Sequence, residues 1–308
     1  MLVLYGGTGF IGRHICEGAT RQDVDLGVIS RSPKMDFLNR LSGKVSVGRV
    51  GGADAEDLLQ RAKTVVYLAN TTKPSSVFKT VTDIVTEDLR AVTGFMEKLY
   101  TINPKCRFIY LSSGGQIYGP DYRSLLLENN ALNPVTPYAL SKLLNENALN
   151  YFQSTHQGSI TILRLANPIG HWQVGTSHGL VSAAITAAIA GNTLTIYGKG
   201  ENARDYFDVD DFSDFICHLH AAGNIPSGTF NIGSQIARTE QDVISVIEKT
   251  LNISLNVNFE PAREFDFPYA VLDSSKAKKE LGWQAITPLQ DSIKKIAKAV
   301  EHKLENQI

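Results

Sequence analysis

The chain has 308 residues, 43% of them hydrophobic and 20% charged, with a formal net charge of −1. That is material for one large domain or two smaller ones sharing a cleft. The interleaved charges exclude the clustered basic excess of a nucleic-acid surface, and the apolar stretch Val181–Ala190 falls far short of the roughly 20 residues of a membrane span.

Leu2–Tyr5 reads as a compact strand, followed by glycines and a helical stretch from about Ile11 to Ala19. Leu26–Ile29, Val45–Val47, Val65–Ala69 and Phe108–Ser112 are further apolar runs, separated by segments long enough for crossover helices such as Asp83–Tyr100. This alternation predicts a parallel sheet covered by helices on both faces. Ile160–Arg164 adds a strand after the long helix Tyr138–Gln153. Beyond about Asn167, loops rich in Gly, Pro and Asn separate short strands from the helices Leu180–Ala190, Gln241–Thr250 and Leu289–Glu301. Residues 1–166 are therefore expected to form the sheet domain, with some later segments returning to it. Residues 167–308 are expected to be mainly a smaller α/β cap against the C-terminal edges of the strands. Lys276, Lys278 and Lys279 read as a solvated helix face. Cys16, Cys106 and Cys217 make no metal-ligand spacing, so no metal is expected. Free thiols, with no basic segment or cleavage site at the N-terminus, point to the cytoplasm.

Leu2–Tyr5 runs into Gly6-Gly-Thr-Gly9-Phe-Ile-Gly12, a GxxGxxG pattern between a strand and a helix. Gly6 allows a tight turn, Gly9 lets the backbone approach a pyrophosphate, and Gly12 lets the helix pack close to the sheet with its N-terminus toward the phosphates. This context marks a Rossmann-type, doubly wound dinucleotide fold rather than an ordinary glycine turn. The second strand ends in Ser30-Arg31-Ser32, where NAD sites usually carry a carboxylate; the nearest, Asp36, lies further along the loop. An arginine there accommodates the 2′-phosphate of NADP, which favours NADP(H) over NAD(H). The other reading of Arg31 is a solvated loop residue. The expected cofactor-binding set is Gly6, Thr8, Gly9, Phe10, Ile11, Gly12, Ser30, Arg31 and Ala69, with Tyr138 and Lys142.

Tyr138-Ala-Leu-Ser-Lys142 places a phenol and an ammonium at i and i+4 on one helix face. A tyrosine with a pKa near 10 is a poor base at neutral pH. A nearby ammonium is expected to lower that pKa, so that the phenol can take a proton from an alcohol or give one to a reduced ketone.

With these motifs the chain resembles the extended short-chain dehydrogenase/reductase family, especially nucleotide-sugar epimerases and dehydratases similar to UDP-glucose 4-epimerase. The resemblance spans nearly the whole chain. It includes Ser112-Ser-Gly-Gly-Gln-Ile-Tyr-Gly119, Arg164-Leu-Ala-Asn-Pro168, Arg204-Asp-Tyr-Phe-Asp-Val-Asp-Asp211, Phe230-Asn-Ile-Gly233, Arg263-Glu-Phe-Asp266 and Leu281-Gly-Trp283. It implies that the cap holds a nucleotide sugar. It also implies that Asn167 contacts the sugar diphosphate, that Arg204 and Arg263 clamp it, and that Asp266 touches the nucleotide ribose. Alternative roles are a salt bridge from Arg204 to Asp205 or Asp208, and from Arg263 to Glu264 or Glu260.

The chain departs from that family in three places. The hydroxyl that relays a proton in such epimerases is replaced by Gly114, leaving Ser113 or a water to act. Gly115 and Gln116 stand where 4,6-dehydratases carry an Asp-Glu pair, which argues against a dehydratase. Arg31 tilts the reading toward net reduction by NADPH.

The resulting expectation is a reductase delivering hydride to the 4-keto group of a nucleotide-linked deoxysugar. Tyr138 is the proton donor, Lys142 holds the ribose, and Ser113 orients the oxygen. A 4-epimerase with retained NAD, its sugar turning in room left by Gly114 and Gly115, is the alternative. A non-catalytic dinucleotide-binding sensor or subunit is the alternative of another class. His171, Trp172 and His178, on the loop after Asn167, either line the sugar pocket or lie at the surface. Relatives pair through helices near Asp83–Tyr100 and Tyr138–Gln153, which implies a homodimer.

Overall fold

The apolar runs of the first half become strands β1 (Leu2–Tyr5), β2 (Leu26–Ser30), β3 (Val45–Arg49), β4 (Thr64–Tyr67), β5 (Arg107–Ser113) and β6 (Ile160–Leu165). Between them run helices α1 (Phe10–Arg21), α2 (Met35–Leu38), α3 (Ala53–Arg61), α4 (Val81–Ile102) and α5 (Pro137–His156). The computed structural model of the chain describes residues 1–41, 43–70, 80–156, 158–174, 179–263 and 267–305.

After β6 come β7 (Asn167–Ile169), α6 (Leu180–Ala190), β8 (Thr193–Tyr197), β9 (Ala203–Asp208), α7 (Val209–Ala222) and β10 (Gly228–Ile232). The chain continues through β11 (Ala237–Thr239), α8 (Glu240–Leu251), β12 (Asn256–Glu260), β13 (Tyr269–Ala270), α9 (Ser275–Leu281) and α10 (Leu289–Glu305).

The principal sheet has seven parallel strands in the order β10-β6-β5-β4-β1-β2-β3. Strand order reverses between β1 and β4, so the connections leave in opposite directions and a crevice opens at the carboxyl ends there. All five residues of β2 and all four of β4 are buried, because helices cover both faces. The core on one face joins β1 and β4 to Phe95, Met96 and Leu99 of α4. The core on the other joins Ile15 and Ala19 of α1 to Phe212, Phe215 and Trp283.

α7 and β10 return to this layer from the second half. Ser213 donates to the His14 carbonyl at 2.8 Å, and the bare backbone of Gly18 lets α7 lie close to α1, since a Cβ there would collide with Ser213. The remaining strands make two small sheets. β9 pairs with β7, β11 and β13, and β8 pairs in parallel with β12. A third apolar core gathers α6, α8 and α10 beneath them. Cys16, Cys106 and Cys217 are buried free thiols. Among the described residues no helix is long and apolar enough to cross a membrane.

One expected strand stops short. Pairing was expected through Ala69, but β4 ends at Tyr67. Leu68 still donates to the Tyr5 carbonyl at 2.8 Å, and Ala69 then presses its backbone against Gly6.

Candidate active site

The turn after β1 depends on glycine. Gly6 has φ +88°, and a Cβ there would lie 2.7 Å from the Ala69 amide nitrogen. Gly12 also admits no side chain, since its Cβ would meet the Gly7 carbonyl oxygen at 2.5 Å. The close packing expected of Gly12 is thus against the turn itself. Gly9 caps α1 with no side-chain hydrogen bond and no acid in the first turn, and a Cβ there would meet only Gly6 O, at 3.8 Å. The first amides of α1 are left to a ligand on an open approach. Thr8 Oγ1 and Ser30 Oγ lie 3.0 Å apart, tying this turn to the end of β2. Phe10 and Ile11 open α1; the Phe10 ring lies edge-on to His14, and Ile11 packs on the core.

A cavity of about 680 Å³ opens at this point, lined by Gly6, Thr8, Gly9, Ser30, Arg31 and Ala69 among others. Six of the expected cofactor residues therefore share one wall. Asp36 sits in α2, where its carbonyl accepts from Arg40. Along the strand ends the cavity passes from β2 across β1 and β4 to Asp88 and Asn145, on α4 and α5. A dinucleotide fits what lines it: a glycine turn whose approach is open at Gly9, a basic residue at one end, and an orphaned acceptor at the other. Asn145 is 1% exposed, and its Oδ1 has no partner among the described residues.

Ser113 ends β5, and Tyr138 and Lys142 stand in the first turns of α5. The Ser113 hydroxyl lies near enough to Tyr138 to act on its ionisation. Lys142 Nζ donates to the Leu111 carbonyl at 2.8 Å and to Tyr110 OH at 3.3 Å, and lies 5.7 Å from the centre of the Tyr138 ring. Asn145 donates to the same Tyr110 oxygen at 2.9 Å.

The expected lowering of the Tyr138 pKa does not occur. Burial pushes it up to about 12, opposed by the nearby Ser113 hydroxyl and reinforced by the Asp88 charge. Burial likewise brings Lys142 down to about 8, while Asp88 and Glu146 act to raise it. Desolvation wins in both groups because each charged form would lose water that the protein does not replace.

Gly114 gives no extra room either, because a Cβ there would collide with the Leu272 side chain. At Gly115 the space is open, with no atom within 4 Å of a built Cβ. Gln116 accepts from Thr136 at 2.9 Å.

Asn167 and Arg204 come together on neighbouring strands, Asn167 on β7 donating to the Asp205 carbonyl at 2.9 Å. Arg204 Nη1 bonds the Ala203 carbonyl at 3.0 Å. Its two candidate acids serve elsewhere. Asp205 projects to the other face of β9 and accepts from Ser234 at 2.6 and 2.7 Å. Asp208 caps α7 and accepts from Ser292 and Lys295. Arg263, past the end of β12, lays its guanidinium 4.3 Å from the centre of the Tyr197 ring. Glu260 accepts from Asn258. Asp266, Glu264 and His178 lie outside the described residues.

His171 and Trp172 pack against α1. Trp172 Nε1 donates to Glu17 at 3.0 Å, His171 bonds Glu17 at 3.3 Å, and the His14 and His171 rings are 4.3 Å apart. Donor atoms of His14, Glu17 and His171 lie within 4.8 Å of one another, a set able to hold a metal ion. Each is already engaged inside the protein, His14 with Asp210 at 2.7 Å.

Sequence reasoning missed Asp88 and Asn145. Asn145 was findable, lying one turn beyond Lys142 on the same helix face. Asp88 carries no local signal; only the packing of α4 on α5 brings it to Ser141, which donates to it at 2.8 Å.

Residues 2–233 match the model of the NAD dependent epimerase/dehydratase family. The chain is 28% identical over 313 residues to the dTDP-4-dehydro-6-deoxyglucose reductase of Escherichia coli, covering 98% of each. It is 29% identical over 199 residues to a UDP-glucose 4-epimerase of Mycolicibacterium smegmatis, covering 64% of this chain and 63% of that one. The solved UDP-glucose 4-epimerase of Thermotoga maritima, in complex with UDP-glucose, superposes with a TM-score of 0.86 at 25% identity, over 98% of this chain and 99% of that one. The seven-stranded parallel sheet agrees with these likenesses: the chain is an enzyme of the NAD-dependent epimerase/dehydratase family, in the extended short-chain dehydrogenase/reductase group.

Proposed function

We propose that the protein is an NADPH-dependent reductase of the 4-keto group of a nucleotide-linked deoxysugar. The observation that carries this reading is Arg31 on the wall of the cavity, at the end of β2 where a carboxylate would serve NAD, with Tyr138 and Lys142 together in the first turns of α5. A protonated tyrosine is the form that donates, and reduction of a ketone needs a donor. The bound dinucleotide supplies the hydride. Ser113 orients the carbonyl oxygen, Tyr138 passes its proton to that oxygen as the alcohol forms, and Lys142 holds the nicotinamide ribose. Arg31, on the cavity wall beside Ser30 and Ser32, pairs with the 2′-phosphate of NADP. Asn167, Arg204 and Arg263 take the sugar diphosphate, with Asp266 on the ribose. Gly115 and Gln116 offer no acid–base pair for a dehydratase.

Residues 1–166, with α7 and β10 returning, hold the dinucleotide, and the remainder of 167–308 holds the sugar nucleotide. A second copy pairs through α4 and α5, where Val81 and Tyr151 are 52% and 66% exposed. The buried free thiols suit the reducing cytoplasm.

A 4-epimerase with retained NAD is the second reading, favoured by the open space at Gly115 and by the names of several relatives. The experiment is to purify the protein without added cofactor, denature it and identify any dinucleotide released, then follow NADPH oxidation with a dTDP-4-keto-6-deoxyhexose. Empty protein that consumes NADPH supports the reductase. Stoichiometric NAD with no NADPH consumption overturns it in favour of the epimerase.

A further inference from the structure

Three side chains able to ligate a metal meet outside the cofactor cavity, where the short turn His171–Gln173 packs on α1. His14 and Glu17 stand three residues apart on α1 and so share one face of it. His171 follows β7, the strand that carries Asn167. The donor atoms of the three lie within 4.8 Å of one another.

His14 and Glu17 each keep one donor atom for the centre of this group. His14 is fully buried, and its Nδ1 bonds Asp210 at 2.7 Å, a carboxylate itself anchored by Lys295 at 3.0 Å. A carboxylate behind a histidine fixes the ring and leaves the other nitrogen to ligate. That nitrogen, Nε2, faces the turn, 3.4 Å from the Trp172 amide. A side chain at Gly170 would cover it, since a Cβ there would fall 2.7 Å away. Glu17 divides its carboxylate: Oε1 accepts from Trp172 Nε1 at 3.0 Å, and Oε2 meets His171 Nε2 at 3.3 Å. In a tetrahedral zinc site, with bonds of about 2.0–2.1 Å, neighbouring donors stand about 3.3 Å apart. Glu17 and His171 already have that spacing, and His14 has to close by no more than about 1.5 Å. Both are partly exposed, so an ion can enter from solvent.

We propose that His14, Glu17 and His171 bind a divalent transition-metal ion, which clasps the turn after β7 to α1. Two imidazoles and one carboxylate, with a water in the fourth position, suit Zn²⁺. The ion replaces the Glu17–His171 bond with a ligand bond to each. None of the three residues lines the cofactor cavity, so the ion's role is structural: it fixes the segment following Asn167 against the helix that opens at the glycine turn.

The test strips the protein with a chelator and titrates it with ZnCl₂ by calorimetry at pH 7, alongside Glu17→Gln, His171→Gln and, as a control, His156→Gln. Glutamine at position 17 keeps an acceptor for Trp172, and position 171 is on a partly exposed turn. Either variant carries the measurement should the other not fold. The expected result is one Zn²⁺ per wild-type chain, affinity at least tenfold weaker in the Glu17 and His171 variants, and no change in the control. The ion should also raise the melting temperature of the wild type more than that of either variant. No binding by the wild type, or equal affinity in all four proteins, overturns the site and leaves the dinucleotide reading untouched.

Discussion

The burial of Lys142 has a measurable consequence for stability. Its side chain is 5% exposed, and its pKa descends from an ordinary 10.5 to about 8. At about 1.36 kcal/mol per pH unit, that descent means the buried ammonium costs the folded state about 3 kcal/mol at neutral pH. The folded pKa lies below the unfolded one, so between about 8 and 10.5 the unfolded chain binds the extra proton. Stability from this group therefore rises with pH through that window and is flat below it. Lys142→Met removes the titration while keeping much of the apolar stem. Urea unfolding followed by the fluorescence of Trp172 and Trp283 at pH 7 and pH 10.5 should show the wild type gaining about 3 kcal/mol relative to the variant across the interval. Other groups that titrate there do so in both proteins and cancel in the difference. A gap between the two proteins that stays constant with pH would refute the reasoning, since it would mean the ammonium is solvated or fully paired in the fold.

Tyr138→Phe should lower turnover by about 10² to 10⁴ while dinucleotide affinity stays within a few-fold, as read by steady-state rates and by titration; surviving activity would remove Tyr138 as proton donor. Gly114→Ser should destabilise the protein by about 1–3 kcal/mol, because the new side chain meets Leu272. Adding Leu272→Ala should relieve that collision, and a melting series across the four proteins checks it. Arg31→Ala should weaken NADPH by about tenfold and leave NADH nearly unchanged; equal losses for both would make Arg31 a solvated loop residue.

Much of the site was legible before any coordinates, because its signals are local. The glycine turn could be read since a backbone at φ +88° against Ala69 leaves no space for a side chain at Gly6. Tyr138 and Lys142 could be paired since helical periodicity alone puts i and i+4 on one face. The separation of Arg204 from Asp205 was also within reach, as neighbours on a strand point to opposite faces. The sign of the Tyr138 shift was not. Proximity to an ammonium can be inferred from spacing, whereas burial depends on what the rest of the chain stacks around the ring. The same holds for His171 and Trp172, whose partners His14 and Glu17 sit on a helix remote in sequence.

By itself, the order of residues determined the alternation of strands and crossover helices, the glycine turn before α1 and the placing of a phenol and an ammonium on one face of α5. Each of these follows from periodicity and backbone sterics within a few residues. Tertiary structure alone decided that Leu272 fills the space beside Gly114, that Asp88 reaches the cofactor cavity, and that both Tyr138 and Lys142 are governed by desolvation. Those outcomes depend on which distant side chains exclude water from a given point, a quantity that no window of sequence contains.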